Sequence, residues 1–370
     1  MIYLDNAAST KPSETVMNKV NEVMEIYGNP SSLHDMGTQA KKIILDSKQT
    51  IAEKFNCNTN ELYFTSGATM SNNLFIQGFL ITHPDARLII SPIEHNDIIM
   101  LADHLDSIYG KYWVYRLGID GNGNISTQGL IDVLAAFSKQ GIPTLTCVQW
   151  ANGEIGTIQN MKLISNIVHQ YPNAYLYSDI TQYVPYYPID LKEIQLDGFG
   201  MSGQKINCIK GTGLMYVSNK CKLTPIIWGE QGLIGGTENV IGIAALATAI
   251  SELDYDNKEL CEKRDLLIQG LQQNGAKIIG PLENRLPNNI CAYLNQNDGE
   301  YVVVMLNELG ICVSSGSACS SGNGEPSHVV LALGHSPIVA NSCIRFSLSK
   351  DNTIDEIHEV INIVNGIISY

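Results

Sequence analysis

The sequence is poor in positive charge. Its 370 residues contain 23 Lys and Arg against 37 Asp and Glu, which gives a formal net charge of −14. Binding to duplex nucleic acid or to an anionic membrane surface requires a basic face, so we expect neither as a direct partner. Charged residues make up 16% and apolar residues 44%, a composition typical of a well-buried globular protein and not of a disordered one.

Long apolar runs and cysteine motifs are also missing. No stretch reaches the roughly 18 to 20 apolar residues that a membrane span needs, and VIGIAALATAI predicts a buried helix instead. The start, MIYLDNAASTKP, has no basic segment followed by an apolar run, so we expect no signal peptide. The nine cysteines are scattered without a CxxC pair, which predicts reduced thiols and a cytoplasmic protein.

Strand-like and helix-like segments alternate up to about residue 250. Segments such as ELYFTSG, ARLIISPIEH, IPTLTCVQWAN and AYLYSDI read as strands, with helical patterns between most of them. This alternation predicts a mostly parallel sheet with crossover helices. Beyond residue 250 the pattern changes to an amphipathic helix that ends at Gly275, several short strands and a closing helix, which together predict a compact α+β unit.

Two motifs follow predicted strands. In FTSGATMSNN, a turn of small residues opens a helix, and its backbone N–H groups with the hydroxyls of Thr65, Ser66 and Thr69 suit a phosphate. Taken alone, the motif is explained more simply by a capped helix start. In YSDITQ, Asp179 and Gln182 end an apolar strand, which is where open α/β sheets bind ligands, although a helix cap or an ion pair would use the same acid.

The stretch SGQKINCIKGTG places Lys205 after another strand end. A partly desolvated lysine is a nucleophile or an imine former. An Asp at a pyridinium nitrogen together with such a lysine describes a pyridoxal phosphate site, and His95 after a further strand would complete it. Lys210, which precedes a glycine turn, is predicted to be structural.

Two further motifs lie in the C-terminal part. Cys319 stands within VSSGSACSSGNGEPSH, a composition that predicts a mobile, exposed segment with a reactive thiol, unless the cysteine is incidental. Arg345 interrupts the alternating strand SCIRFSLSK, where it would suit a bidentate clamp on a carboxylate or a structural ion pair.

As a set, these motifs resemble those of the cysteine desulfurases, fold type I pyridoxal phosphate enzymes of the class V aminotransferase group. The resemblance runs nearly end to end, in the order YLDNAASTKP, GNPSSLH, FTSGATMSNN, EH, NGEIGTIQ, SDITQ, SGQK, GGTENV, SSGSACSS and IRFSLS. It implies a large cofactor-binding domain, residues 15–250, with a mostly parallel seven-stranded sheet between helices. Residues 1–14 and 251–370 would form a smaller α+β domain that carries the mobile cysteine loop at about 314–327.

The resemblance also implies a role for each site residue. Lys205 would bind the cofactor as an imine and move the Cα proton, Asp179 would pair with the ring nitrogen, Gln182 would bond the phenolic oxygen, and His95 would stack on the ring and assist proton transfer. The phosphate would be held by Ala68, Thr69, Ser202, Gln204 and, from the partner subunit of a homodimer, Thr237. The substrate carboxylate would be held by Arg345, Asn29 and Asn152.

The implied reaction is the conversion of L-cysteine to L-alanine. Cys319 would attack the substrate sulfur and carry it as a persulfide to an acceptor or scaffold protein, for iron–sulfur clusters, thio-cofactors or tRNA thiolation. Two alternatives stay open: a selenocysteine lyase or another class V lyase or aminotransferase, and an inactive homologue that acts as a binding partner.

Several positions depart from the family pattern around the phosphate and the dimer-facing edge. Gln204 stands where His is usual, Gly153 where Asn is usual, and Met70 where an acid is usual. Ile234 and Gly235 replace Arg and Ser, and Ile209 replaces Pro. We therefore expect weaker cofactor binding, or a specialised branch with a different acceptor or substrate.

Overall fold

A computed structural model describes residues 1–110, 113–230, 232–294, 298–316 and 325–368. Within these ranges the chain forms strands that run, in order, β1 (Ile2–Tyr3), β2 (Leu62–Thr65), β3 (Arg87–Ile90), β4 (Val114–Arg116), β5 (Thr144–Cys147), β6 (Ala174–Asp179), β7 (Gly198–Ser202), β8 (Gly213–Val217), β9 (Lys277–Ile279), β10 (Asn289–Tyr293), β11 (Ile311–Cys312), β12 (Ser314–Ser315) and β13 (Cys343–Ser347).

The helices of the same ranges are α1 (Glu14–Met24), α2 (Asp35–Phe55), α3 (Ala68–Thr82), α4 (Asn96–Tyr109), α5 (Thr127–Lys139), α6 (Met161–Val168), α7 (Val240–Ser251), α8 (Lys258–Gln273), α9 (Gly299–Glu308), α10 (His328–Ala332), α11 (Pro337–Ser342) and α12 (Ile354–Ile368). Single 3₁₀ turns lie at Thr59–Glu61 and Gly203–Lys205.

Seven strands form the central sheet, in the order β2-β8-β7-β6-β5-β3-β4. All neighbours pair in parallel except β8, which runs antiparallel to both β2 and β7. The inner strands β5 and β7 are buried along their whole length, as expected for a parallel sheet covered by helices on both faces. The predicted α/β fold with a mostly parallel seven-stranded sheet is confirmed.

The apolar segment VIGIAALATAI forms α7 and not a surface element. Nine of the twelve α7 residues are buried, and the start of the helix packs with Val23 of α1 and Ile44 of α2. Its Ala and Gly content allows close approach to both helices. Among the described residues, the structure offers no helix with the length and apolarity to cross a membrane.

A second sheet forms in the C-terminal part of the chain, in the antiparallel order β12-β13-β10-β9. The N-terminal strand β1 pairs in parallel with β11, and Ile2 and Leu4 pack into the apolar cluster of the C-terminal elements. The amphipathic helix α8 ends before Gly275, whose φ of +92° is the left-handed conformation that favours glycine. The domain boundary near residue 250 stays a prediction.

An ion pair between His169 and Asp197 couples the stability of this fold to pH. The ring Nε2 of His169, just after α6, lies 3.0 Å from Asp197 Oδ2, which also accepts the Leu176 N–H. Burial opposes the charge of His169, but the hydrogen bond and charge of Asp197 outweigh it and raise the pKa of His169. The stabilisation is therefore complete below the unfolded pKa of about 6.5 and is lost as pH rises through the folded pKa.

We expect His169→Gln to lower the free energy of unfolding by about 1 kcal/mol at pH 6 and by clearly less at pH 9. Urea unfolding of both proteins at the two pH values measures this difference. A deficit that is the same at pH 6 and pH 9 would show that the charge of His169 contributes nothing.

Candidate active site

A cavity of about 380 Å³ lies where the parallel strands end. Asp179 ends β6 and Ser202 ends β7, and His95 follows β3, so the three side chains meet at one edge of the sheet. The cavity also brings together most of the site residues that were predicted from sequence: Ala68, Thr69, His95, Asn152, Asp179, Gln182, Ser202, Gln204, Lys205 and Arg345.

Asp179 is a buried carboxylate at the base of this cavity. It accepts hydrogen bonds from the backbone N–H of Thr181 at 2.9 Å and from Asn72 Nδ2 at 3.0 Å. Burial and the nearby charge of Asp97 raise the pKa of Asp179, and these hydrogen bonds oppose the rise. A positive charge beside Asp179 would favour its ionised form, because it would offset the burial.

Lys205 lies in the 3₁₀ turn directly after β7 and points its amine at the N-terminal segment. Its Nζ donates to the carbonyl oxygens of Ala7 at 2.7 Å and Ala8 at 2.5 Å. Gln182 Nε2 donates to the same Ala7 oxygen at 3.0 Å. The Ala7 carbonyl therefore joins two of the predicted cofactor-binding residues.

His95 caps the N-terminus of α4. Its Nδ1 lies 2.9 Å from Asp97 Oδ1, and its ring remains 45% exposed at the mouth of the cavity. Burial opposes the charge of Asp97, but the hydrogen bond and charge of His95 outweigh it and lower the pKa of Asp97. Asn72 Nδ2 contacts both Asp97 and Asp179, so it links the two acids.

The start of α3 forms one wall of the cavity. Helix starts leave N–H groups without intrahelical acceptors and carry a partial positive charge, which suits an anion. Here the Ala68 N–H donates to Ser202 Oγ at 2.7 Å. Gly67 (φ +154°) packs closely on Gly213: a Cβ added to Gly213 would lie only 2.5 Å from the Cα of Gly67. The two glycines thus let α3 begin directly at the ends of β7 and β8.

The lining of this cavity includes buried polar atoms without a partner. Within the part of the chain that the structure describes, four buried side-chain atoms of its lining have no hydrogen-bond partner: Glu94 Oε2, Thr181 Oγ1, Gln204 Oε1 and Arg345 Nε. Buried polar atoms are nearly always paired in folded proteins, so a bound polar ligand or a water molecule would supply the missing partners here.

Arg345 enters the cavity from β13 and is almost fully buried. Its Nη2 forms an ion pair with Asp5 Oδ1 at 2.8 Å, and its Nη1 lies 3.5 Å from the Gly153 carbonyl oxygen. The structure thus contains the ion pair that the sequence allowed, and it also leaves Nε without a partner among the described residues. The carboxylate contact of Arg345 stays a prediction.

Gln182 fills the space beside Gly153, one of the positions that depart from the family pattern. A Cβ at Gly153 would lie 2.7 Å from Gln182 Cδ and 2.8 Å from its Cγ. Any side chain at position 153 would therefore require Gln182 to move. The Asn that is usual at this position and the present placement of Gln182 exclude each other.

Among the described residues, three predicted site residues make no contact that would identify their predicted roles. Asn152 lines the cavity, but its Oδ1 accepts the N–H groups of Glu154 and Ile155, and its Nδ2 donates to Ile93. Asn29 is exposed and accepts the Ser31 N–H. Thr237 lines a second cavity, of about 610 Å³.

The substrate contacts of Asn29 and Asn152 and the partner-subunit role of Thr237 stay predictions. Cys319 lies outside the described residues.

Sequence reasoning gave no role to several residues of the lining. Glu94 precedes His95, and its Oε1 accepts the Gln149 N–H at 2.8 Å; burial raises its pKa well above the usual range for a carboxyl. Glu154 and His328 also line the cavity. Glu94 and Glu154 stand inside the motifs EH and NGEIGTIQ, so adjacency to predicted residues was the available signal.

Comparison with known proteins identifies the family of this chain. The family model for class-V aminotransferases matches residues 2–360. The cysteine desulfurase IscS of Dictyoglomus turgidum is 32% identical over 379 residues, covering 99% of this chain and 94% of the relative.

Solved structures of related proteins share the fold of this chain. A NifS-like protein from Rickettsia africae has a TM-score of 0.89 at 28% identity, with full coverage of both chains. A structure titled SspA in complex with cysteine has a TM-score of 0.81 at 27% identity and covers 94% of this chain and 99% of that one. The chain belongs to the cysteine desulfurase family of the class-V aminotransferases.

Proposed function

We propose that this protein is a pyridoxal phosphate-dependent cysteine desulfurase that converts L-cysteine to L-alanine and leaves a persulfide on Cys319. One observation carries the proposal: a single cavity joins the Lys205 amine, the buried Asp179 carboxylate and four unpartnered buried polar atoms. Membership of the cysteine desulfurase family supports the same reaction.

The residues of the cavity fit pyridoxal phosphate. The start of α3, with Ala68, Thr69 and Ser202, offers the donors and partial positive charge that a phosphate needs. Gln204 has a buried amide oxygen without a partner among the described residues, so its amide is able to turn an N–H toward the phosphate, the contact that the usual His would make. When bound, the cofactor supplies an electron sink for the electron pair released at the substrate Cα.

The protein's own groups manage charge and protons around that cofactor. Asp179 would hold a positive charge on the ring nitrogen, and Gln182 would move from Ala7 to the phenolic oxygen. Lys205 would take the proton from the substrate Cα. In this structure its amine donates to the carbonyls of Ala7 and Ala8, which supports a position of Lys205 at that side of the cavity.

The substrate carboxylate would bind Arg345. In this structure Nη2 holds Asp5 and Nε has no partner among the described residues, so a carboxylate bound at Nε and Nη2 would share Nη2 with Asp5. A fixed planar guanidinium recognises a carboxylate with two parallel hydrogen bonds. The related structure titled SspA in complex with cysteine supports cysteine as the amino acid that is bound.

Sulfur transfer requires a soft nucleophile, and we assign that role to the Cys319 thiolate. The thiolate would attack the substrate sulfur as the C–S bond breaks. We further propose a homodimer in which Thr237 reaches the partner's phosphate site, a cytoplasmic location, and an acceptor or scaffold protein that takes the sulfur onward.

The direct test uses the purified, cofactor-loaded protein with L-cysteine and a thiol reductant. We expect alanine and sulfide in equal amounts and, without reductant, a persulfide on the Cys319 peptide by mass spectrometry. L-Serine, which has no sulfur, is the matched substrate control. Amino transfer to a keto acid without sulfide would instead identify an aminotransferase.

A further inference from the structure

Both ends of the stretch that carries Cys319 meet at one buried carboxyl group. Ser327 Oγ, on the downstream end, donates to Glu154 Oε1 at 2.5 Å. On the upstream end, a Cβ placed on Gly316 would lie 3.2 Å from the same Oε1 and 3.5 Å from the Cβ of Ser327. Gly316 and Ser327 are thus neighbours in space, with Glu154 between them and the cavity.

Glu154 is rigidly held. It stands in a turn whose N–H groups, those of Glu154 and Ile155, are both accepted by Asn152 Oδ1. The residue is 5% exposed and lines the cavity. Burial raises the pKa of Glu154, while the Ser327 hydrogen bond and the charge of Arg345 oppose the rise. A buried carboxyl with few neighbours depends strongly on each hydrogen bond that it receives.

The downstream end has two further attachments to the same wall. Ser327 caps α10, because its Oγ also accepts the Val330 N–H at 3.2 Å. The next residue, His328, contacts the backbone oxygen of Glu94 through Nε2 at 2.9 Å. Upstream, the Gly316 N–H donates to the Cys343 carbonyl oxygen at 3.0 Å. Glu154 differs from these anchors because it lies against both ends.

We propose that Glu154 is a positioning residue: it accepts a hydrogen bond from Ser327, packs beside Gly316, and so keeps the two ends of the Cys319-bearing stretch together at the cavity wall. The inference rests on the proposed function, because its effect on turnover is the delivery of the Cys319 thiol to the substrate sulfur. Glu154 itself takes no part in the bond that forms or the bond that breaks.

The first experiment compares Ser327→Ala with Ser336→Ala. Ser336 caps the neighbouring helix α11 in the same way as Ser327 caps α10, but the N–H that it accepts is that of Val339, and its cap does not involve Glu154. We expect Ser327→Ala to slow persulfide formation on Cys319 about tenfold and Ser336→Ala to leave the rate unchanged.

A readout on the cofactor side separates positioning from general damage. Binding of cysteine changes the absorption of the bound cofactor. In Ser327→Ala, the cysteine concentration that gives half of this change should stay within about twofold of the wild-type value, because substrate binding is intact. Equal persulfide rates in the two serine variants, or a parallel loss of cysteine binding in Ser327→Ala, would overturn the proposal.

The second experiment tests the carboxyl group and does not depend on turnover. Glu154→Gln keeps an oxygen that accepts the Ser327 hydroxyl, whereas Glu154→Ala removes the acceptor. By hydrogen exchange on the cofactor-free protein, Glu154→Ala should speed exchange at Gly316 and at the first turn of α10, with β13 unchanged and with Glu154→Gln close to wild type.

Unchanged hydrogen exchange in Glu154→Ala would refute the positioning role of Glu154, even in a protein that makes no persulfide. The converse outcome is also distinguishable. If the wild-type protein releases no sulfide, but Glu154→Ala speeds exchange at both ends, the proposed function is refuted and the positioning role of Glu154 is retained.

Discussion

Lys205→Ala is expected to reduce alanine and sulfide formation by at least about 10³-fold, because it removes the group assigned to the Cα proton. Lys205 is the single lysine among the described residues that line the cavity. The segment whose oxygens accept its amine is also held by the Ala7 N–H on Ser347 Oγ and the Ala8 N–H on the Asp5 oxygen, so the substitution should leave the cavity intact. The loss therefore reflects chemistry and not folding.

Lys210→Ala is the matched control for this variant. Lys210 lies five residues further on in the same glycine-rich stretch, is exposed, and lines neither cavity. It should keep wild-type activity. Borohydride reduction followed by peptide mass spectrometry should find the cofactor mass on Lys205 in the wild-type protein and on no lysine of the Lys205→Ala variant. Full activity in Lys205→Ala would refute the assignment.

The sequence was sufficient for residues that follow strand ends. Asp179 and Ser202 are the last residues of β6 and β7, which pair in parallel, and Lys205 follows β7, so their place at one edge of the sheet follows from topology. The short edge strand β4 was not identified, because three residues carry too little periodicity.

Contacts to backbone atoms could not be predicted. The Ala7 and Ala8 carbonyls lie far before Lys205 in the chain, at separations of 198 and 197 residues, and backbone oxygens carry no residue-type signal. The contact of Gly316 and Ser327 with Glu154 could not be predicted either, because a long-range contact between small residues leaves no periodic pattern in the sequence.

The departures from the family pattern have a partial physical explanation. At position 153, the side chain of Gln182 lies so close that a Cβ on Gly153 would be 2.7 Å from its Cδ. The sequence showed the loss at position 153, but only the packing shows what fills the space. Nothing in the structure explains the replacement of Pro by Ile209.

Asp179→Asn is expected to lower turnover by about 10² to 10³-fold, the second largest effect, because a neutral amide cannot hold the positive charge that makes the cofactor ring an electron sink. The substitution is nearly isosteric, and the amide oxygen that it introduces would still accept the Thr181 N–H. It also removes a carboxylate whose pKa is raised by burial, so charge is taken out of a site where it is costly.

These opposing effects separate activity from stability. A carboxyl group whose folded pKa is raised destabilises the folded state above its unfolded pKa. The cofactor-free Asp179→Asn protein should therefore unfold at a temperature no lower than wild type, because removal of the buried charge offsets the loss of the Asn72 hydrogen bond.

Asp197→Asn is the contrasting control for Asp179→Asn. Asp197 is a buried acid at the other end of the same sheet and is paired with His169, so its substitution should lower the unfolding temperature and leave the cofactor absorption unchanged. Turnover and unfolding temperature falling together in Asp179→Asn would assign that acid a structural role, because loss of the ring-nitrogen partner alone alters the absorption and the rate and spares the fold.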